Sequence, residues 1–482
     1  MKQIVIQPVT RIEGHAKVTI QLHEQGNVAD SRVQVVELRG FERFCIGRPV
    51  EELPRIVCRI CGVCPWAHHL ASSKACDAVF GVEIPSVAKK LRELAYMAHF
   101  IHSHVLHFFI LAGPDFVMGP DADYSIRNVV GIIQKVPDVA KRVVRARFLG
   151  QMMTQLLGGK AIHPDVSVPG GWSKPATKEE VVRLKEMAKE CLDFSTFAID
   201  FAKKEIFPKY LDLVKSFAPI QSGFLGTVKD GALNLYDGDL RMMTPDGKYE
   251  DFAAKDYLDY IGEHIEPWTY LKFPYYKKAG QFSMDLGNPV GIYRTNALAR
   301  INVCDRIATP VANKELEEFR ANFGRPAQLT LLYHWARLIE TVYCAERAME
   351  LLDDPEITDP NTRKAVTPRA ACGVGSVEAP RGTLIHDYET DEKGLVKDVN
   401  IIVGTTHNNA AINMSVKKAA QDNIKGGKYD QALLNTVEMA IRAYDPCLSC
   451  ATHELDGRIP VKIDIFDSGG QLVGTVMEDE QV

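Results

Sequence analysis

Four cysteines in two C-x-x-C pairs stand almost at opposite ends of the 482-residue chain. Cys61 and Cys64 lie within Arg59-Ile-Cys-Gly-Val-Cys-Pro-Trp-Ala-His68, and Cys447 and Cys450 within Asp445-Pro-Cys-Leu-Ser-Cys-Ala-Thr-His453. If the pairs serve one site, both ends of the chain must enter a common core rather than belong to independent modules. At about 150 residues per domain the length alone suggests roughly three domains. The cysteine spacing instead predicts one interlocked unit. Four such thiolates form a soft site, suited to nickel, zinc or iron–sulfur clusters and ill suited to magnesium or calcium.

The composition is that of a globular protein with a large core, 46% hydrophobic and 25% charged. A net charge of -5 offers no basic footprint for nucleic acid. Apolar stretches such as residues 105–113, interrupted by His107, fall short of the ~20 residues of a membrane span. The first residues carry no apolar signal core. Eleven cysteines, an odd number, fit metal binding in a reducing compartment better than a disulfide framework, so the expected location is cytoplasmic.

Alternation and β-branched residues over 3–6, 16–21 and 32–38 predict an N-terminal antiparallel sheet. Helical spacing covers residues 86–112, with Pro85 and Ser86 as a start and Gly113-Pro114 as a stop. Further helices are expected over 136–158, 178–217, 314–353 and 429–443. Residues 219–289 read as mixed strand and loop, and 375–405 as strands with a hairpin near Asp391 to Gly394. The fold class is α+β, a central bundle of long helices framed by peripheral antiparallel sheets.

Two simpler readings of the cysteines compete. A structural zinc site held by four cysteines is common, but zinc ribbons join their pairs across a loop of about 15–20 residues, whereas most of this chain lies between the pairs. Cys58 with Cys61 and Cys64 begins a ferredoxin-like run, which then fails because His68 stands near the place of the fourth cysteine. Cys58 reads as a buried free thiol.

The two cysteine motifs, together with Arg11-Ile-Glu-Gly-His15, Arg39-Gly-Phe-Glu42 and Ala379-Pro-Arg-Gly382 in the same order, resemble the large subunit of nickel–iron hydrogenases. The resemblance spans residues 11–453 and implies the same fold, a helical bundle framed by sheets. It implies that Cys61 and Cys447 bind nickel terminally and that Cys64 and Cys450 bridge it to an iron carrying carbon monoxide and cyanide. Cys447 would be the first proton acceptor and Glu13 the proton relay. A carboxylate suits that role because desolvation can raise its pKa toward neutrality; its bland alternative is an ion pair with Arg11.

Arg381 would donate to an iron-bound cyanide, and Thr405, in Val403-Gly-Thr-Thr406, would serve the other. Gly404 replaces the proline of many members. Asp115 resembles an aspartate of the canopy around that arginine, and His68 would hydrogen-bond the Cys64 sulfur. Glu42, the backbone carbonyl of Ile401 and His453 resemble ligands of a magnesium or iron ion. His99, His102, His104 and His107 crowd one predicted helix, but their spacing does not put all four on one face, so they read as core histidines satisfied by hydrogen bonds.

No other cysteine has iron–sulfur spacing and no G-x-G-x-x-G follows a strand. The resemblance therefore implies an iron–sulfur small subunit and one further electron-transfer partner, with nickel-insertion proteins, and a catalytic unit over residues 1–453 whose extension, residues 454–482, is either removed by an endopeptidase after His453 or kept. Within the family the chain looks most like the soluble methyl-viologen-reducing group that delivers electrons to heterodisulfide reductase. Deazaflavin- or NAD(P)-reducing relatives share the site and form the nearest alternative; a dihydrogen sensor or a zinc or iron–sulfur protein is the alternative of another class.

Overall fold

The computed structural model describes residues 2–452, 462–466, 469 and 471–477. Strands Lys2–Ile6, Ala16–Leu22 and Val28–Val35 form an antiparallel sheet in sequence order. Its alternating apolar residues, Val18, Ile20, Val33 and Val35 among them, are buried. The N-terminal sheet thus follows the expected pattern, with the last strand displaced a few residues toward the Gly26-Asn27 turn.

The bundle is built from Pro65–Phe80, Ser86–Val105, Pro137–Gly158, Lys178–Phe201, Tyr333–Asp353, Gly404–Asn423 and Gln431–Ala443. The Ser86–Val105 helix packs against both Pro137–Gly158 and Tyr333–Asp353. It does not stop at Gly113-Pro114. A wider π turn over Leu106–Ala112 leads into Gly113–Val117, where Pro114 falls in a first helical turn and needs no N–H. The continuous segment Ser86–Val117 has the length and composition of a membrane span, which the histidines within it mask in the sequence, but most of it is buried inside the protein.

Two long predicted helices are interrupted. The 314–353 segment divides into Pro310–Phe323 and Tyr333–Asp353 at Gly324-Arg325-Pro326, where Gly324 has φ 74° and Pro326 lacks a ladder donor. The 178–217 segment loosens into a π turn at Ala202–Ile206 and a 3-10 turn at Phe207–Tyr210 around Pro208 before Leu211–Ser216. Helices Pro65–Phe80 and Gly404–Asn423 were not expected from the sequence pattern.

A five-stranded sheet over residues 223–294 and the sheet Ala371–Ala379, Gly382–Thr390, Val396–Ile402 frame the bundle. The second lies directly on the Pro65–Phe80 helix. Gly373 and Gly375 make that approach possible, since a Cβ on Gly375 would meet the Ala71 carbonyl oxygen at 2.2 Å and one on Gly373 the Ala75 oxygen at 2.5 Å. The helix that follows Cys64 is thereby brought beside the strand that leads to Arg381. One continuous hydrophobic core runs from Ile4 to Ala451, so both ends of the chain enter it.

Candidate metal centre

Cys64 ends an irregular turn and caps the Pro65–Phe80 helix, while Cys447 caps the short helix Leu448–Ala451. The two turns face each other. The sulfur atoms lie 3.3 Å apart for Cys61–Cys447, 3.9 Å for Cys64–Cys447, 3.0 Å for Cys64–Cys450 and 2.8 Å for Cys447–Cys450. All four fall within 4.8 Å of one another and all are buried. The Val63 and Cys64 amides point at the Cys61 sulfur, at 3.2 and 3.3 Å, and favour a thiolate there.

The thiols cannot all ionise unaided. Burial, with hydrogen bonding among the neighbouring cysteines, pushes Cys447 and Cys450 well above the ordinary thiol value, whereas hydrogen bonds from Cys447, Cys450 and Cys64 pull Cys61 well below it. A bound cation removes that conflict. The donor set is therefore a buried, all-sulfur cradle that fits a soft metal centre. Cys58 stands apart, its thiol directed at the carbonyls of Arg55 and Pro164. The ferredoxin-like run is thus not assembled.

The Arg11–His15 loop docks on the second cysteine turn. Glu13 forms an isolated parallel bridge with Cys447; its carbonyl accepts from the Leu448 amide at 3.2 Å and its carboxylate from the Ser449 amide at 3.1 Å. Gly14, at φ 81°, lets the loop press so closely that a Cβ there would lie 2.8 Å from that of Leu448. Glu13 is only half-buried and is bonded to the turn that carries Cys447 and Cys450.

Arg381 is 2% exposed and occupies the tip of the hairpin between Ala371–Ala379 and Gly382–Thr390. Its Nη2 is 3.1 Å from Asp445 Oδ1 and its Nη1 donates to Ser103 at 3.2 Å. Burial works against its charge, but Asp445 and the sulfurs of Cys447, Cys64 and Cys61 outweigh burial and hold the guanidinium above its usual value. The same burial lifts the Asp445 carboxyl to about 6 against the pull of Arg381 and Arg337. Arg381 Nε and Nη2, and both Asp445 oxygens, have no aligned hydrogen-bond partner among the described residues. Arg11, Asn296 and Asp445 all adopt positive φ, at 58°, 80° and 51°, the kind of local strain that concentrates at functional sites.

Thr405, in the first turn of Gly404–Asn423, accepts from the Cys447 amide at 2.9 Å. The glycine before it is required by space, because a Cβ on Gly404 would sit 2.5 Å from the Arg381 carbonyl oxygen. Asp115 is placed differently from expectation. Instead of pairing with Arg381, it accepts from Arg11 at 2.5 Å, Arg442 at 2.6 Å and Asn435 at 3.2 Å. Two arginines from the flanking segments satisfy it, and Asp445 takes the place beside Arg381. Asp445 stands in the second cysteine motif, so its position was visible although its partner was not. Arg337, buried and held by the Ala443 carbonyl at 3.1 Å, carried no sequence signal.

His68 Nδ1 lies 3.2 Å from His386 Nε2, and His386 Nδ1 lies 2.6 Å from the Tyr388 hydroxyl, which contacts Ser72. Glu42 Oε1 accepts from the Ile401 amide at 2.6 Å; burial pushes its carboxyl up to about 7 despite Lys272 and that amide. A buried carboxylate beside Ile401 fits a hard cation. His453, the other expected ligand, and most of the extension from residue 454 lie outside the described residues. The four helix histidines do not converge. His104 meets Glu340 at 2.8 Å and His107 the Arg442 carbonyl at 2.7 Å, and burial keeps all four neutral, His102 at about 3 and His104 at about 4.

Residues 39–136 and 236–453 match the family model described as nickel-dependent hydrogenase, and residues 3–38 match a HoxL-like model. The chain is 49% identical over 422 residues to a subunit of the F420-non-reducing hydrogenase vhu of Methanocaldococcus jannaschii, covering 87% of this chain and 99% of that protein. It is 45% identical over 481 residues to a subunit of the F420-non-reducing hydrogenase of Methanothermobacter marburgensis, covering 98% and 99%. Among solved structures, the NAD+-reducing NiFe hydrogenase in its H2-reduced state superposes with a TM-score of 0.89 at 40% identity, over 94% of this chain and all of that one. By that match and these relatives, the chain belongs to the nickel-dependent hydrogenases.

Proposed function

We propose that this chain is the catalytic large subunit of a nickel–iron hydrogenase of the F420-non-reducing, methyl-viologen-reducing kind, a cytoplasmic enzyme working with an iron–sulfur small subunit. The observation that carries the reading is the sealed cradle of Cys61, Cys64, Cys447 and Cys450, whose sulfurs lie within 4.8 Å of one another beneath the Arg381–Asp445 pair. The bound nickel–iron pair supplies the soft electrophile at which dihydrogen is polarised and its two electrons are taken up. In this reading Cys61 and Cys447 would hold the nickel, Cys64 and Cys450 would hold nickel and iron together, and carbon monoxide and cyanide would complete the iron.

The chain's own residues handle the protons. Cys447 Sγ accepts the first, and the Glu13 carboxylate, fastened to the same turn through the Ser449 amide, carries it outward. Arg381 keeps a fixed positive charge beside the cysteines and would donate toward one cyanide; Thr405 would serve the other and accepts from the Cys447 amide. His68 supports the Cys64 sulfur. Asp115 acts through Arg11 and Arg442. Glu42 and the Ile401 carbonyl would hold a magnesium or iron ion, with His453 as the further ligand that the resemblance implies. Dihydrogen then yields two protons through this chain and two electrons through the partner's clusters, onward through a further electron-transfer partner to heterodisulfide reductase. Nickel-insertion proteins and an endopeptidase cutting after His453 would mature the site. The F420-non-reducing relatives at 45% and 49% identity favour this acceptor over NAD, whose relative in Cupriavidus necator is 39% identical.

Infrared spectroscopy of the purified complex tests the reading. One carbonyl and two cyanide bands that shift under dihydrogen are expected, together with dye reduction by dihydrogen. Absence of those bands from metal-replete protein would refute the nickel–iron centre and return zinc. Bands without turnover would identify a sensor.

A further inference from the structure

We infer that Arg300 is the positioning residue for Arg381, fixing the backbone of the turn from which Arg381 projects over the cysteine cluster. The inference rests on the role proposed for Arg381 above.

The turn is short. Ala379 pairs with Gly382 across the hairpin, so Pro380 and Arg381 alone form its tip. One side is pressed by neighbours: a Cβ on Gly382 would lie 2.0 Å from Thr295 Oγ1 and one on Gly404 2.5 Å from the Arg381 oxygen, and Asn408 donates to that oxygen at 3.3 Å. The other side is held by Arg300. Its Nη1 donates to the Ala379 carbonyl at 2.9 Å and to Glu378 Oε2 at 2.9 Å. Its Nη2 donates to the Pro380 carbonyl at 3.3 Å and to Glu340 Oε2 at 2.6 Å, and its Nε to Glu340 Oε1 at 2.6 Å. All five N–H groups of the guanidinium are thus used, and two of them grip the consecutive carbonyls that lead into Arg381.

The two carboxylates are themselves fixed. His104 meets Glu340 at 2.8 Å, and the hydroxyls of Thr227 and Thr383 donate to Glu378 at 2.9 and 2.8 Å. Arg300, Glu340 and Glu378 are each 0% exposed. A buried ionic cluster is weak as a stabilising device, because well-packed apolar residues of similar volume often do as well. What apolar residues cannot reproduce is a planar fork that sets two carbonyls at once, and a lysine, with one ammonium on a flexible stem, cannot reproduce it either.

The test is a double-mutant cycle in the holoenzyme with its iron–sulfur partner: Arg300→Lys, Arg381→Lys and both together, with turnover divided by nickel content and the cyanide infrared bands recorded without turnover. Displacing a catalytic group by an ångström costs on the order of 100-fold. Arg300→Lys should therefore lose about 10–100-fold in kcat with little change in the KM for dihydrogen, shift the cyanide bands toward their Arg381→Lys positions, and add less than about threefold loss in the Arg381→Lys background. Unshifted bands with full turnover, or a loss that multiplies in the double variant, would overturn the inference. If Arg381→Lys alone changes neither turnover nor bands, the Arg381 reading fails, and a loss in Arg300→Lys then assigns Arg300 an independent role. Should Arg300→Lys not assemble, Glu340→Gln decides by the same cycle: a loss that disappears in the Arg381→Lys background supports the inference, and no loss overturns it.

Discussion

Asp115→Asn is the substitution whose consequences the structure defines most fully. The carboxylate is 1% exposed and receives Arg11, two residues before Glu13, and Arg442, five residues before Cys447, at 2.5 and 2.6 Å. Removing one partner of a buried ion pair costs about 3–5 kcal/mol. Two features reduce that here: asparagine keeps one accepting oxygen, and Arg442 retains Glu438. A loss of about 2–3 kcal/mol follows, a fall of roughly 2–3 °C in the unfolding midpoint, because the unfolding entropy of so large a chain is about 1 kcal/mol/K. Burial would raise the Asp115 carboxyl, but Arg442 and Arg11 outweigh it and hold it below the usual carboxylate range. A depressed folded pKa means that the contribution is complete above the unfolded carboxylate value and is lost only as pH falls through the still lower folded value. Thermal unfolding of wild type and variant should therefore show a gap that is constant between about pH 8 and pH 5. A gap below about 0.5 kcal/mol, or one that already closes between pH 7 and pH 5, would refute the assignment of Asp115 as the anion of this clamp.

Three further outcomes are expected. Gly375→Ala forces a Cβ to within 2.2 Å of the Ala71 oxygen and should destabilise by at least about 1–3 kcal/mol with reduced nickel content; wild-type stability by chemical denaturation would contradict the tight helix-on-strand contact. Glu13→Gln keeps an oxygen for the Ser449 amide but cannot carry a proton, so turnover should fall by about 100-fold or more while nickel content and infrared bands stay unchanged; simultaneous loss of nickel would point to a structural role instead. Cys58→Ser should leave the metal content intact by elemental analysis, since its sulfur faces the Arg55 and Pro164 carbonyls.

Much of the site was legible because its residues sit in short motifs where each position has its own chemistry. The two cysteine pairs lie together, with Glu13 and Thr405 bonded to the Cys447–Ser449 turn and Arg381 beside Asp445. The pairing of Asp115 was not legible, since nothing in Gly113-Pro-Asp-Phe116 points to Arg11 and Arg442, which the fold brings to it. The fold shows the same division. Amphipathic helices such as Lys178–Phe201 have one apolar face and announce themselves. Pro65–Phe80 and Gly404–Asn423 do not: nearly every residue of the first, and residues 404–416 of the second, are buried whatever their polarity. Without a solvent face there is no period to read. Arg300 and Arg337 escaped for the same reason, as charges inside segments buried on all sides.

The placement of the N-terminal motifs explains why a site built from the two ends of a chain needs more than its ligands. The Arg11–His15 loop supplies the bridge to Cys447, the acceptors for the Leu448 and Ser449 amides and, through Gly14, close contact with Leu448. The Arg39 amide donates to the Thr452 carbonyl at 2.8 Å, holding the far end of the same short segment. Thr405 holds its beginning through the Cys447 amide. The helix Leu448–Ala451 has too few residues to satisfy its own termini, so its backbone groups are met from motifs distant in sequence. The turn is therefore formed only when the rest of the fold is in place, and metal binding, by relieving the burial and crowding that hold the Cys447 and Cys450 thiols protonated, adds its free energy to the closure of that last segment.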